Sequence, residues 1–292
     1  MATYWMGPKM TRTKSGNLAF YIPLDDDDEY NFDDLNEKHH ESTKSNEDLQ
    51  CELFLTLIKL RTNVSYDLLG FLFGWSNGKV SSIIHTWLDI LSSFLNRLIV
   101  LPNQMECWSL IPARIRSQFP HLRCIVDCTE IPIERPQQTY LQAITFSPYK
   151  KRNTIKILVA FLPNGSIGFV SQVWSGRPSD RFIMDHSRLM NLLDRGDLVL
   201  ADRGFGITDE LLALGIALNA PTAATGRVQF TTEEVIRGSK IAKVRIHVER
   251  AIGRMKVFKI LRNQMPIPFV PVAEKIVTVI AALCNLQAPL LK

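Results

Sequence analysis

The sequence lacks a long apolar run, a secretion signal and paired cysteines. None of its hydrophobic stretches reaches the roughly 18 residues that a membrane-spanning helix requires, and residues 1–19 contain no continuous apolar segment. The five cysteines include no Cys-x-x-Cys pair, and an odd number without a signal argues against a disulfide framework. We therefore expect free thiols, no structural zinc, and a protein that is neither secreted nor bound to a membrane.

Basic residues are scarce at the N-terminal end and abundant in the rest of the chain. Residues 1–50 hold 5 Lys and Arg against 11 Asp and Glu, which leaves 29 against 18 for residues 51–292. An acidic segment with so few apolar residues cannot offset the entropy lost on ordering, so a disordered acidic leader is predicted over residues 1–48. The basic remainder favours a polyanionic partner.

Helical periodicity extends over residues 49–100. Ser65 is a candidate N-cap for a second helix, and a short turn at Gly74 leads into a third apolar pattern. A helix, a turn containing glycine, and a further helix that begins with polar residues including Lys79 form the pattern of a helix-turn-helix, in which the start of the second helix meets DNA. The same spacing also fits a plain helical domain, and the pattern alone does not separate the two.

A connector with three prolines over residues 102–120 precedes a region with strand patterns. The strands predicted there are Cys124–Ile133, Thr154–Phe161, Ser166–Trp174 and Asp197–Ala201, and the helices run from Ser179 to about Leu193, from Thr208 to Leu214, and from Thr231 to about Leu261. Strands come first and then alternate with helices. The predicted body is therefore α/β, with a mixed sheet and flanking helices.

Four carboxylates stand at positions that suit chemistry. Asp127 lies inside an apolar strand, where a charged group needs a cation or several hydrogen bonds. Asp202 follows a strand at its carboxyl end, where α/β sheets place their sites. Glu249 is the only acid among residues 237–262 of a basic helix. Asp180 follows a strand closely, although it also suits the first turn of the next helix.

The other three acids also have structural alternatives. Asp202 could be the N-cap of the next helix, although Thr208 fits that role better. Asp127 could be held by a backbone hydrogen bond or by a nearby arginine such as Arg123 or Arg135. Glu249 could be the i,i+4 partner of Arg245.

The donor set indicates a hard metal ion and a phosphate substrate. Carboxylates without cysteine suit Mg²⁺ or Mn²⁺ rather than zinc, and two such ions about 4 Å apart can activate an attacking water and stabilise the leaving oxygen. Basic side chains are predicted to contact the phosphates of double-stranded DNA. They are Lys79, Lys150, Lys151, Arg152, Arg245, Arg250 and Arg254.

Four motifs occur in order along the second half of the chain. They are Val126-Asp-Cys-Thr-Glu-Ile-Pro-Ile133, Trp174-Ser-Gly-Arg-Pro-Ser-Asp180, Leu200-Ala-Asp-Arg-Gly-Phe205 and His247-Val-Glu-Arg-Ala-Ile-Gly253. Together they resemble the DDE endonuclease domain of PIF/Harbinger-type transposases, and the resemblance covers residues 119–292. It implies a ribonuclease H-like fold, metal-dependent cleavage of DNA and, in an active element, strand transfer.

The resemblance also implies roles for individual residues. Asp127, Asp202 and Glu249 match the catalytic DDE triad, and together with Asp180 they would hold Mg²⁺ or Mn²⁺, with two ions expected. Residues 49–100 lie where relatives place a helix-turn-helix. Many relatives also carry an N-terminal zinc-binding module that has no counterpart here, so transposon ends would be recognised by the helix-turn-helix or by a separate DNA-binding partner protein. The implied location is the nucleus, and a homodimer is left open.

The favoured function is a divalent-metal-dependent DNA endonuclease or transposase with a two-metal mechanism. One alternative is a host-adopted DNA-binding protein that has lost catalysis, although the presence of all four acids argues against it. A phosphatase for a small phosphoester is a third, and the extended basic surface favours a long polyanion instead.

Overall fold

The computed structural model describes residues 9–12, 18–21, 44–202, 205, 209–219 and 231–290. Over these ranges the chain forms an N-terminal helical region and a mixed sheet with helices on both faces. The predicted fold class, a ribonuclease H-like α/β body preceded by a small all-α region, is confirmed. None of the helices in the described ranges combines the length and apolar character needed to cross a bilayer.

Three helices form the N-terminal region, namely α1 (Asn46–Thr62), α2 (Tyr66–Phe73) and α3 (Asn77–Leu95). Each begins at a serine whose side-chain oxygen accepts a backbone N–H of the first turn: Ser45, Ser65 and Ser76. Gly74 ends α2 with a φ of 68°, a left-handed conformation that glycine adopts without strain. The predicted helices and the predicted cap at Ser65 are confirmed.

Ser76→Ala is expected to lower the free energy of unfolding by about 1 kcal/mol, because the backbone N–H of Lys79 loses the acceptor that it contacts at 3.3 Å. Urea unfolding of the wild type and the variant measures the change. Ser82→Ala, an exposed change inside α3, should be neutral or slightly stabilising, because alanine is the better helix former. An equal loss in both variants would show that the cap is not the cause.

The proline-containing connector is not an extended loop. It holds two short helices that the sequence pattern did not predict, α4 (Gln104–Leu110) and α5 (Ala113–Arg116). A capping box joins Asn103 and Glu106 at the start of α4, and Pro112 directly precedes α5. Proline is tolerated at such a helix start, so Pro112 marks the beginning of a helix rather than an extended loop.

The sheet of the described chain has nine strands. They are β1 (Lys9–Arg12), β2 (Leu18–Tyr21), β3 (Leu122–Pro132), β4 (Phe146–Ser147), β5 (Arg152–Phe161), β6 (Ile167–Val170), β7 (Trp174–Ser175), β8 (Leu198–Leu200) and β9 (Ala217–Asn219). Their order is β1-β2-β7-β5-β3-β8-β9, and β4 and β6 also pair with β5. Because β3 is antiparallel to β5 and parallel to β8, the sheet is mixed, as predicted.

Helices cover both faces of this sheet. They are α6 (Thr139–Thr145), α7 (Asp180–His186), α8 (Asp209–Ala213), α9 (Thr232–Lys256), α10 (Lys259–Arg262) and α11 (Ala273–Asn285). Ile125 and Ile131 of β3 share a core with Val248 of α9, and we call this side of the sheet the α9 face. Val126 shares the opposite core with Ile183 of α7, which defines the α7 face.

The helical region packs directly on the body. Helix α3 lies against α11 and α1 against α10, and Ile84 and Leu88 of α3 belong to the same apolar cluster as Ile276 and Ile280 of α11. The two units share one core on the α9 face. Their predicted bounds, 49–100 and 119–292, stay a prediction.

Two predicted elements are interrupted. The strand predicted over Ser166–Trp174 is divided into β6 and β7, because the hydroxyl of Ser171 accepts the backbone N–H of Leu158 and donates to the carbonyl of Gln172. The helix predicted to reach Leu193 ends at His186, since the next residue is extended with φ −80° and ψ 154°. The chain continues as a 3₁₀ helix over Arg188–Leu192.

The N-terminal segment contributes to the sheet. Strands β1 and β2 form an antiparallel pair, and Tyr21 of β2 pairs with Trp174 of β7. The predicted acidic leader over residues 1–48 thus contains two described strands, whose backbone groups pair with each other and, at Tyr21, with β7. Its disorder and its bounds stay a prediction. The acidic run over residues 25–34 lies outside the described residues.

Candidate active site

Asp127 and Asp202 lie at the same level of the sheet because β3 and β8 are parallel. Ile125 of β3 pairs with Leu200 of β8, and each aspartate follows its partner in this pair by two residues. Side chains alternate along a strand, so Asp127 points to the α9 face together with Ile125. The pair therefore lies just beyond the carboxyl end of β8, the position where α/β sheets place ligands.

Burial dominates the electrostatics of Asp127. It raises the pKa of this carboxyl group to about 6, while the guanidinium of Arg245 opposes the rise and the negative charges of Asp202 and Asp180 add to it. A backbone hydrogen bond from Cys128 also stabilises the charged form. The group is thus mostly ionised at neutral pH, although its surroundings favour a cation next to it.

The arginines suggested as partners of Asp127 are bound elsewhere. The Nη1 atom of Arg123 lies 3.2 Å from Oδ2 of Asp194. The Nε and Nη2 atoms of Arg135 donate to the side-chain oxygen of Gln142. The structural alternative for Asp127 through these two residues is therefore excluded.

Arg245 of α9 binds the second aspartate. Its Nη1 atom donates to Oδ1 of Asp202 at 3.0 Å, and the arginine side chain is largely buried. The sequence offered Arg245 both as a DNA contact and as the partner of Glu249. In the structure its guanidinium pairs with Asp202, and burial limits its contact with a phosphate backbone.

Glu249 lies on α9 one turn after Arg245, with an exposed side chain. It is on the helix that covers the Asp127 side of the sheet. Among the described residues no three acidic, histidine or cysteine side chains are gathered closely enough to hold a metal ion. The structure thus brings Asp127 and Asp202 together and leaves Glu249 on the neighbouring helix, outside a closed ligand set.

Asp180 lies on the α7 face, across the sheet from the side chain of Asp127, although its negative charge still contributes to the raised pKa of Asp127. It is the first residue of α7, after the N-cap Ser179, and its Oδ1 atom lies 3.1 Å from Nζ of Lys156. It also forms a hydrogen bond with the thiol of Cys128, which packs on the α7 face. The structure therefore favours the first-turn alternative over the metal role that the resemblance implies, because Asp180 and Asp127 lie on opposite faces.

The remaining predicted DNA contacts are dispersed. Lys79 is exposed at the start of α3, with its Nζ atom 4.4 Å from the ring centroid of Trp75. Arg250 is exposed on α9, whereas Arg254 donates to the carbonyl of Ala288 at 2.7 Å and so anchors the C-terminal segment. Lys150, Lys151 and Arg152 lie together at the turn between β4 and β5.

Lys156 was missed by the sequence interpretation. It lies within the apolar strand β5, and its Nζ atom donates to the carbonyl of Pro178 at 3.0 Å in addition to binding Asp180. A charged residue between Ile155 and Ile157 carries the same signal that pointed to Asp127, so the sequence could have indicated a buried partner for it.

The Asp127–Asp202 pair fits a hard divalent cation in two respects. Both donors are carboxylates, which hard cations prefer. Asp127 is buried and forms no salt bridge with the described residues, so a bound cation would neutralise its charge. The site is incomplete for a metal ion, because Oδ1 of Asp202 is already bound by Nη1 of Arg245.

Comparison with known proteins gives two matches. Residues 126–285, more than half of the chain, match the family described as DDE superfamily endonuclease. Residues 48–95 match the family described as helix-turn-helix of DDE superfamily endonuclease. The first match begins in β3 and ends with α11, and the second spans α1 to α3. No curated protein matches the chain.

Proposed function

The chain belongs to the DDE superfamily endonucleases, and from this premise we propose that it cuts the phosphodiester bonds of DNA in a reaction that requires Mg²⁺ or Mn²⁺. The observation that carries the proposal is the pairing of Asp127 with Asp202 beneath α9. These two carboxylates lie side by side at the carboxyl end of a strand, within the region that the endonuclease family covers.

The proposed ion would be held by Asp127 and Asp202, with Glu249 as the next ligand and the residue assigned to a second ion. Bound there, the metal would supply an activated water and stabilisation of the leaving oxygen. Asp180 is left out of this ligand set because Lys156 holds it on the α7 face.

The protein's own residues prepare the site for that chemistry. Above about pH 6 Asp127 is a charged ligand, and Arg245 limits the repulsion between it and Asp202. Arg250 and Lys79 are exposed and are proposed to contact phosphates of double-stranded DNA. Such contacts fix the position of the duplex and leave the reading of sequence to other groups.

The helix-turn-helix of the superfamily over residues 48–95 makes DNA the proposed partner and the nucleus the proposed location. Ser76 and Lys79 lie at the start of α3, where that motif contacts DNA. Binding to terminal-repeat duplexes distinguishes recognition by α3 from recognition by a separate partner protein. Light scattering with and without DNA tests for a homodimer.

Cleavage of supercoiled plasmid tests the proposal. The wild type, incubated with Mg²⁺ or Mn²⁺, is expected to nick and linearise the plasmid, and EDTA should prevent the reaction. Asp202→Ala prepared in parallel controls for contaminating nucleases. Cutting that persists in EDTA or in the variant would contradict the proposed site.

A second candidate is a DNA-binding protein without catalysis. The Arg245–Asp202 ion pair favours it, because a neutralised carboxylate binds a metal less readily. Duplex affinity that is unchanged by EDTA and by Asp202→Ala, together with absent cutting by the wild type, would support this function over the first.

A further inference from the structure

A cleft of about 810 Å³ opens beside the turn that joins β4 and β5. Four of its lining side chains are cationic and none is acidic. The cations are Arg135, Lys151, Arg152 and Arg177. Only two of them belong to the basic cluster that the sequence singled out.

The four charges are not neutralised by the described part of the chain. None of the cations forms a salt bridge with an acidic residue there. Arg135 is held by a neutral group, since its Nε and Nη2 atoms donate to Oε1 of Gln142 at 3.0 and 2.8 Å. The amide of Gln142 in turn donates to the carbonyl of Pro136 at 2.8 Å. Such a concentration of positive charge attracts an anion.

The walls of the cleft are tied together by hydrogen bonds. The amide of Asn153 donates to the carbonyl of Gln142 at 2.9 Å and to the hydroxyl of Thr145 at 2.8 Å, which joins α6 to β5. Lys151 adopts a left-handed conformation with a φ of 52°, and its backbone N–H donates to the carbonyl of Ser147 at 2.8 Å. Strained conformations of this kind persist where the surroundings enforce them, so the backbone that carries Lys151 is fixed before a ligand arrives. Among the four cationic side chains, Arg135 is held in addition by Gln142.

The size of the cleft and its aromatic side chain indicate what the anion carries. A volume of this order accommodates a small organic ligand and is much larger than a phosphate group requires. Phe146 lines the cleft with a partly exposed ring, and aromatic rings of this kind stack on unpaired bases. A paired base cannot enter such a cleft without leaving the duplex.

One wall of the cleft continues from the strand that carries Asp127. Ile133 lines it and follows Asp127 by six residues, and six residues of strand span about 20 Å. Lys256 of α9 is within electrostatic reach of both Asp127 and Lys150, which connects the two regions. A DNA strand that reaches Asp127 can therefore continue into the cleft.

We propose that this cleft binds an unpaired nucleotide of DNA, with the four cations on its phosphates and Phe146 against its base. The inference deepens the proposed function, because it rests on DNA as the substrate. It does not depend on catalysis at Asp127.

Fluorescence anisotropy in EDTA tests the proposal with a labelled single strand of about 12 nucleotides, the blunt duplex, and the duplex with a single-stranded overhang. Arg152→Ala combined with Arg177→Ala should weaken binding of the single strand and the overhang at least about tenfold. The slope of the logarithm of the binding constant against the logarithm of the salt concentration should also become shallower. We expect a change of about 0.7 per lost phosphate contact, or roughly 1.4 for the double variant. The affinity of the double variant for the blunt duplex should fall by less than about threefold. The charge-matched control, Arg181→Ala with Arg188→Ala, should leave all three affinities nearly unchanged.

Phe146→Ala tests whether the cleft recognises a nucleotide, including its base, or only a phosphate group. It should weaken single-strand binding about tenfold without changing the salt dependence, because stacking releases no counterions. An unaffected single strand in this variant, equal losses for duplex and single strand, or an equal loss in the control would each overturn the proposal. A wild type that prefers overhangs but never cuts would refute the nuclease and leave the cleft assignment intact.

Discussion

Asp127→Asn is expected to abolish metal-dependent cutting of DNA and, at the same time, to stabilise the metal-free protein. Loss of the charged ligand should reduce the rate by about a thousandfold or more, because the amide neither neutralises a divalent ion nor holds it as tightly. The stability change has the opposite direction. It arises because the carboxylate is buried on the α9 face before any ion binds.

The sign of the stability change follows from the pKa. Burial raises the pKa of Asp127 from 3.8 to about 6, so the folded protein binds a proton more tightly than the unfolded chain does. Wild-type stability therefore falls as the pH rises from about 4 through about 6, and it stays reduced above that range. A pKa difference of about two units between the folded and unfolded states corresponds to roughly 3 kcal/mol at most. The free energy of unfolding of the variant should therefore exceed that of the wild type by about 1–3 kcal/mol at neutral pH and should equal it near pH 4.

Urea unfolding in EDTA across this pH range measures the gain, and the plasmid assay measures the loss of cutting. Added Mg²⁺ should raise the melting temperature of the wild type but not that of the variant, since an ion that binds only the folded state stabilises it. An Asp127→Asn protein that still cuts, or that is less stable than the wild type at neutral pH, would refute the assignment.

Glu130→Gln is the matched control on the same strand. Glu130 points to the α7 face, where it accepts the hydroxyl of Thr154 at 2.8 Å and faces Lys156 at 3.8 Å. Its replacement should keep most of the cutting and lower the stability, because Lys156 loses one of its two acidic partners. The two changes thus shift stability in opposite directions, and only Asp127→Asn abolishes cutting.

Local features of the fold were predictable from the sequence, and features that depend on distant partners were not. The cap at Ser65 and the strands β3 and β5 follow from short-range patterns. The division of the predicted strand at Ser171 depends on a hydrogen bond with Leu158, and the pairing of Tyr21 with Trp174 joins segments far apart in the chain. No spacing within one segment contains that information.

The site shows the same division. The cost of a carboxylate inside an apolar strand pointed to Asp127, and a strand end pointed to Asp202. The register that brings them side by side and the choice of Arg245 for Asp202 are tertiary facts. The position of Asp180 on the other face depends on Lys156, a residue that the interpretation passed over. The cationic cleft was invisible for a similar reason, since its charges come from separate segments.

Gly176→Ala should be strongly destabilising, by about 3 kcal/mol, because the backbone on either side leaves no room for a methyl group. A Cβ atom at this position would lie 2.7 Å from the carbonyl oxygen of Thr145 and 2.8 Å from that of Thr154, besides meeting the hydroxyl of Thr154. The first carbonyl belongs to the end of α6 and the second to β5, so neither can move without disturbing its element. The loop that carries Arg177 would have to shift instead.

Urea unfolding and single-strand anisotropy together measure both consequences of that shift. The matched control is Gly253→Ala in α9, where nothing lies within 4 Å of the added atom. It should gain up to about 1 kcal/mol, because alanine favours a helix more than glycine does. If the Gly176 variant unfolds at the same urea concentration as the wild type, the close packing is not needed. If it is destabilised but binds the single strand normally, the loop does not position Arg177.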